Sequence, residues 1–179
     1  ASSEVAVFRA PGVATDIGGP FIIVPRNDVA KVKEEFAAIA EQVGVWALEA
    51  ERVAAHRMRH GIDTDSKSIP NEMGVLHSAV HMNKGCYRGQ ETVAKVFNLG
   101  APPRRLVMLH LDGSAVVMPN PGVPVMNGET QVGFLGTLAR HYELGPIAFA
   151  LVKRNTPTDI TLTVEGISAS QEVIVPGSR

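Results

Sequence analysis

The chain has 179 residues, 45% of them apolar, with one Cys, 12 Pro and a formal charge of −1. That length and apolar share suffice for one full domain or two small ones around a buried core. The cysteine count excludes a disulfide framework, no apolar run approaches the about 18 residues a bilayer span needs, and no signal-peptide zones open the chain. A reducing cytoplasm with no membrane partner is therefore expected.

Residues 4–9 and 20–25 ("PFIIVP") are short β-rich runs that should pair across the Pro- and Gly-containing "RAPGVATDIGG". From Asn27 or Asp28, the spacing of Val29, Val32, Phe36, Ile39, Ala40 and Val43 predicts an amphipathic helix stopped by Gly44. A second helix, about 46–60, aligns Trp46, Ala50, Val53, Ala54 and Arg57. Residues 62–88 have weak periodicity beyond a short helical turn in "MGVLHSAVHM", and long irregular segments of this kind are often functional. "QETVAKVFNLG" reads as a helix with Val93, Val96 and Phe97 inward and Gly100 closing it. Pro102 and Pro103 bar its continuation. Beyond them, five strand-length runs separated by Gly, Pro, Asn and Asp, with an Asn127-Gly128 hairpin signal, predict a small barrel or sandwich. The boundary falls at Pro-Pro, giving domains 1–101 and 104–179.

Charge is unevenly divided. Residues 1–51 carry −4, residues 52–105 carry +5 and residues 106–179 carry −2. A cationic segment in a neutral chain favours an anionic ligand, whether carboxylate, phosphate or nucleic acid; the alternative is a solvated Arg-rich surface.

Cys86 lies in this basic segment, in "NKGCYRGQETVAK". Just ahead of a helix N-terminus, with Lys84 and Arg88 beside it, its thiolate is favoured and the thiol should be reactive. The competing reading is a small buried hydrophobe flanked by glycines that a turn requires. One Cys cannot hold an iron–sulfur cluster or a structural zinc alone. The pairs His56/His60 and His77/His81 have i, i+4 spacing, but neither carries the Glu of H-E-x-x-H, and no metal site is assigned. Asp63, Asp65 and Glu72 can receive an amine or pterin-like N–H, or be plain solvated acids. Phosphate-loop, dinucleotide-loop and nucleophile-elbow motifs are absent.

"KGCYRGQE" at 84–91, following "GIDTD" and "IPNE", resembles the signature of the YgfZ family. These are folate-binding relatives of the glycine cleavage T-protein (aminomethyltransferase) that support iron–sulfur enzymes. "QVGFLGTLARHYELGPIAFALVKR" is similar to the C-terminal barrel shared with T-proteins. The resemblance spans essentially the whole chain. It implies an α+β fold, an antiparallel sheet with helices (a ferredoxin-like half) followed by a small C-terminal β-barrel, with the family's N-terminal portion missing. It also implies tetrahydrofolate or a one-carbon derivative as cofactor, iron–sulfur proteins or assembly factors as partners, and a role in cluster-dependent tRNA modification. Carried over by residue, Cys86 and Lys84 would do the chemistry, and Arg57, Glu72, Tyr87, Arg88, Gln90 and Glu91 would meet the cofactor. Where T-proteins have a Glu for the pterin ring, "DIGGPFII" has Ile22, which weakens the alternative of a one-carbon transferase. Direct RNA binding ranks last, since nine aromatic residues are scattered rather than clustered.

Overall fold

The computed structural model describes residues 6–8 and 21–177. The loop expected over 9–19 lies outside the described residues. Strands β1 (Ala6–Phe8) and β2 (Phe21–Ile23) pair antiparallel, as expected, with Val7 opposite Ile22. A 3-10 turn at Arg26–Asp28 leads into α1 (Val29–Ala37), which ends before Val43 because the Ile39 and Ala40 amides both close onto the Phe36 carbonyl. Its apolar stripe does not face a core: Phe36, Ile39 and Val43 are exposed.

The helix expected to reach residue 60 is α2 (Val45–Ala54). It stops early because His56 takes a φ of 56°, a left-handed value that side-chain-bearing residues rarely adopt. Arg57 and His60 therefore lie past the helix, and His56 and His60 lose the helical spacing inferred for them. Next come a 3-10 turn at Pro70–Met73, α3 (Leu76–Ala79) and α4 (Gln90–Leu99). Gly100 closes α4 at a φ of 87°, the role expected of it.

Strands β3 (Arg104–Leu111), β4 (Pro124–Asn127), β5 (Thr130–His141), β6 (Gly145–Lys153), β7 (Leu162–Val164) and β8 (Ile167–Val173) form a closed antiparallel barrel in the order β3-β6-β5-β4-β7-β8. The Asn127-Gly128 turn joins β4 to β5, as its sequence signalled. Val107, Leu109, Ala148, Ala150 and Val152 face the barrel interior. Their alternates Leu106, Met108, Ile147, Phe149 and Leu151 are equally buried, beneath Ala50 and Val53 of α2 and Met73 of the 3-10 turn. This explains why "RRLVMLHL" and "GPIAFALVK" show no apolar/polar alternation: β3 and β6 are covered on both faces. Each large side chain so buried contributes about 1.5–3 kcal/mol. The apolar layer thus crosses Pro102-Pro103 and ties the helical segment to the barrel.

Candidate functional site

The "KGCYRG" segment is a loop between α3 and α4, and Cys86 is exposed in it. Gly89, the residue before α4, has a φ of 78°, which favours glycine there, and Val93 N–H bonds its carbonyl at 3.0 Å. The Gln90 amide donates to the Tyr87 carbonyl at 3.2 Å. The Lys84 ammonium sits 5.6 Å from the centre of the Tyr87 ring, a cation–π contact, and the Tyr87 hydroxyl reaches Met82 Sδ at 3.8 Å. Glu91 stands in the first turn of α4, where the helix dipole favours a carboxylate. Cys86, Lys84, Tyr87, Arg88, Gln90 and Glu91 are thus one neighbourhood. The buried-hydrophobe reading of Cys86 is incompatible with its exposure.

Arg57 and Glu72 belong elsewhere. The Glu72 side chain is 1% accessible, and its oxygens accept from Arg104 Nε at 2.8 Å, Arg104 Nη2 at 2.9 Å and the Ile69 amide at 3.2 Å. Asp65 completes this cluster by accepting from Arg104 Nη1 at 2.6 Å and Nη2 at 3.1 Å. The Arg104 hydrogen bonds hold the Asp65 carboxyl well below the usual carboxylate range, and the two acids in turn raise Arg104. Arg57 follows α2, where its carbonyl accepts from Arg52 Nη1.

Asp63 is also fully buried, and it serves the backbone rather than a ligand. Its Oδ1 accepts from the Thr137 amide at 2.5 Å, and its Oδ2 accepts from the Arg59 amide at 2.6 Å and Arg52 Nη1 at 3.2 Å. Arg52 also donates to Glu49 at 2.8 Å and to the Thr137 hydroxyl at 2.7 Å. Thr137 lies in a β5 bulge, and a Cβ on neighbouring Gly136 would come within 2.5 Å of Asp63 Oδ1. The long-range partners of Arg52 and Arg104, the hubs of these clusters, had no local signal: Thr137 is 85 residues from Arg52, and Glu72 is 32 from Arg104.

These ion pairs redistribute the basic surplus. Arg52, Arg59 and Arg104 are neutralised by Glu49, Asp63, Asp65 and Glu72. Lys84, Arg88 and Lys95, in and just after the Cys86 loop, have no ion-pair partner among the described residues. Two of these cations, Lys84 and Arg88, stand two residues to either side of the thiol in the sequence.

Two clefts flank this region. One of about 350 Å³ runs along α4 and is lined by Asn71, His77, Val96, Phe97, Val175 and Pro176 among others, with His77 edge-on to Phe97 at 6.5 Å. Asn71 links its walls through a 3.5 Å bond to the Val93 carbonyl. The other, of about 210 Å³, is lined by Met58, His60, Thr64, Asp65, Ser68 and Met73 among others. No cluster of three or more His, Cys, Asp or Glu able to hold a metal occurs among the described residues, and no helix among them is long and apolar enough to cross a membrane.

No family model matches the chain. It is 25% identical over 189 residues to "Iron-sulfur cluster assembly factor IBA57 homolog, mitochondrial" of Aspergillus oryzae, covering 92% of this chain and 40% of that protein. The protein of the same name from Neosartorya fischeri is 26% identical over 191 residues, with the same coverage. The chain therefore spans about two-fifths of the length of these relatives. Among solved structures, the glycine cleavage system aminomethyltransferase T of Bartonella henselae superposes with a TM-score of 0.70 at 18% identity, over 87% of this chain and 45% of that one. The relatives and the shared fold support the resemblance to the glycine cleavage T-protein-like family.

Proposed function

We propose that this protein is an accessory factor for iron–sulfur cluster assembly or repair, with Cys86 as the residue that meets the cluster. The carrying observation is an exposed thiol held in a loop whose cations, Lys84 and Arg88, have no acidic partner among the described residues. The relatives named as cluster assembly factors supply the cargo. A single thiolate can provide one ligand to one iron, so the remaining ligands come from the partner that delivers or receives the cluster. Ligation releases the thiol proton to solvent and exchanges one iron ligand, which suits transfer rather than storage. Cluster-dependent tRNA modification would be affected downstream. The role needs a thiol-reducing compartment, which both the cytoplasm and the mitochondrial matrix provide.

Tetrahydrofolate fits this chain at one end. Its glutamate carboxylates suit Lys84, Arg88 and Lys95. Its pterin ring needs a carboxylate acceptor, and the acids suggested for that purpose are already engaged: Glu72 and Asp65 by Arg104, and Asp63 by Thr137, Arg59 and Arg52. By the resemblance to T-proteins, Ile22 would fall where those proteins carry a Glu for the ring. We therefore assign the folate a held, regulatory role through its anionic tail, and derive no one-carbon step.

Complementation in cells tests the reading. Cys86→Ala should leave protein levels unchanged and abolish rescue of iron–sulfur enzyme activity, whereas full rescue would remove Cys86 from the function. Calorimetric titration with tetrahydrofolate should show affinity falling at least about tenfold in a Lys84→Glu, Arg88→Glu double variant. Unchanged affinity would separate the folate site from this loop.

A further inference from the structure

Arg105 is a second charged residue at the start of β3, and nothing in the candidate site uses it. By strand alternation it shares the inward face with Val107, and it is completely buried. Nη2 donates to the Thr156 carbonyl at 2.9 Å and to Gln171 Oε1 at 3.2 Å. Gln171 is fixed in that orientation because its amide nitrogen donates to the Pro157 and Ile160 carbonyls. Nε and Nη1 have no hydrogen-bond partner among the described residues, and neither does the buried Thr156 hydroxyl.

A guanidinium cannot discard its proton, so burial without a counter-charge is costly. Both acceptors that reach Arg105 are neutral, and burial pushes its pKa down with no carboxylate opposing the shift. Gly177 closes in on the Nε side: a Cβ there would lie 3.5 Å from Nε and 2.9 Å from the Arg154 carbonyl. That carbonyl would repel an anion, which leaves Nη1 on the guanidinium whose Nη2 bonds the Thr156 backbone.

We propose that Arg105 and the Thr156 hydroxyl bind a small monovalent anion, of chloride or formate size, at the end of the barrel where β3 begins and β6 ends. The anion is a structural counter-ion that locks the 154–160 loop and the segment at Gly177 onto the barrel.

The test replaces gluconate by chloride, and in a parallel series by formate, at constant ionic strength, and follows thermal unfolding of the whole chain. Either small anion should raise Tm saturably, by about 5–10 °C at a hundredfold excess over its Kd. Thr156→Val should shift the midpoint of that dependence upward by about tenfold. Saturable broadening of the chloride-35 resonance reports the site on the folded wild type without a variant. A Tm indifferent to the exchange, an unbroadened resonance, or an unaltered midpoint in Thr156→Val would overturn the proposal.

Discussion

Replacing Asp63 by Asn changes almost no volume and tests whether this carboxylate organises the junction between helix and barrel. Oδ1 accepts from Thr137 N–H, and Oδ2 from Arg59 N–H and Arg52 Nη1. An amide has one acceptor oxygen and one donor nitrogen, so either orientation of the substituted side chain sets an N–H against an N–H. If the oxygen stays on Thr137, two donors lose their acceptor; if it flips, the bulge amide does. One unsatisfied buried donor costs about 1–3 kcal/mol. Arg52 also loses a charge partner but keeps Glu49, so only part of the about 3–5 kcal/mol of a broken buried pair is added. Asp63→Asn should therefore destabilise by about 2–5 kcal/mol and lower Tm by roughly 5–15 °C. Urea unfolding measures it: the midpoint should fall while the m-value holds, since the barrel surface exposed on unfolding is unchanged. Asp65→Asn, in the same loop but partly exposed, serves as comparison. A variant within about 0.5 kcal/mol of wild type would refute the assigned hydrogen bonds.

Arg104→Met strands the buried Glu72 without a cation and should cost about 3–5 kcal/mol by denaturant titration; a neutral result would mean that Glu72 reaches solvent. The folded-state pKa of Asp65 is depressed, so its contribution is complete above its unfolded value of about 3.9 and is lost as pH falls through the folded one. Unfolding free energy should accordingly decline below about pH 4, and Asp65→Asn should flatten that limb. A slope identical to wild type would detach Asp65 from acid stability. The exposure of Cys86 predicts that one thiol equivalent reacts with a disulfide reagent in native buffer. A requirement for denaturant would show the loop to be closed.

Much of the fold was legible because its signals are local. Asn127-Gly128 carries its own turn geometry, Gly100 its own helix stop, and the Cys86 loop its glycines and cations within a few residues. The strands of the barrel were readable by composition even where β3 and β6 lost their alternation to burial on both faces. The end of α2 was not legible, because nothing in the local sequence marks the left-handed turn at His56, a residue whose imidazole lies 3.2 Å from Glu172 on β8. Nor was the fate of the acids. Asp63 and Glu72 read as available ligand acceptors, but their partners Thr137 and Arg104 lie 74 and 32 residues away, beyond any sequence window. α1 shows the converse, a clear amphipathic pattern whose apolar face stays exposed, since periodicity states that a helix has a face and not what covers it.

The division between buried acids and exposed cations bears on how the Cys86 loop can work. The loop is anchored at both ends: α3 and the 3-10 turn carry Leu76, Met73 and Glu72 into buried positions, and α4 buries Val93, whose carbonyl receives Asn71. Between those anchors, Asn83, Lys84, Gly85 and Cys86 form a continuous exposed run. Substitutions there remove little buried area and should leave stability nearly unchanged, while changes to Glu72, Arg104 or Asp63 act on the core that positions the loop. Loss of function without loss of fold is therefore expected from Cys86, Lys84 and Arg88, and loss of both together from the buried clusters. Comparing in-cell rescue with denaturation midpoints across these two sets distinguishes a thiol that does chemistry from one that only occupies a turn; coincident losses in both sets would assign the loop a structural role.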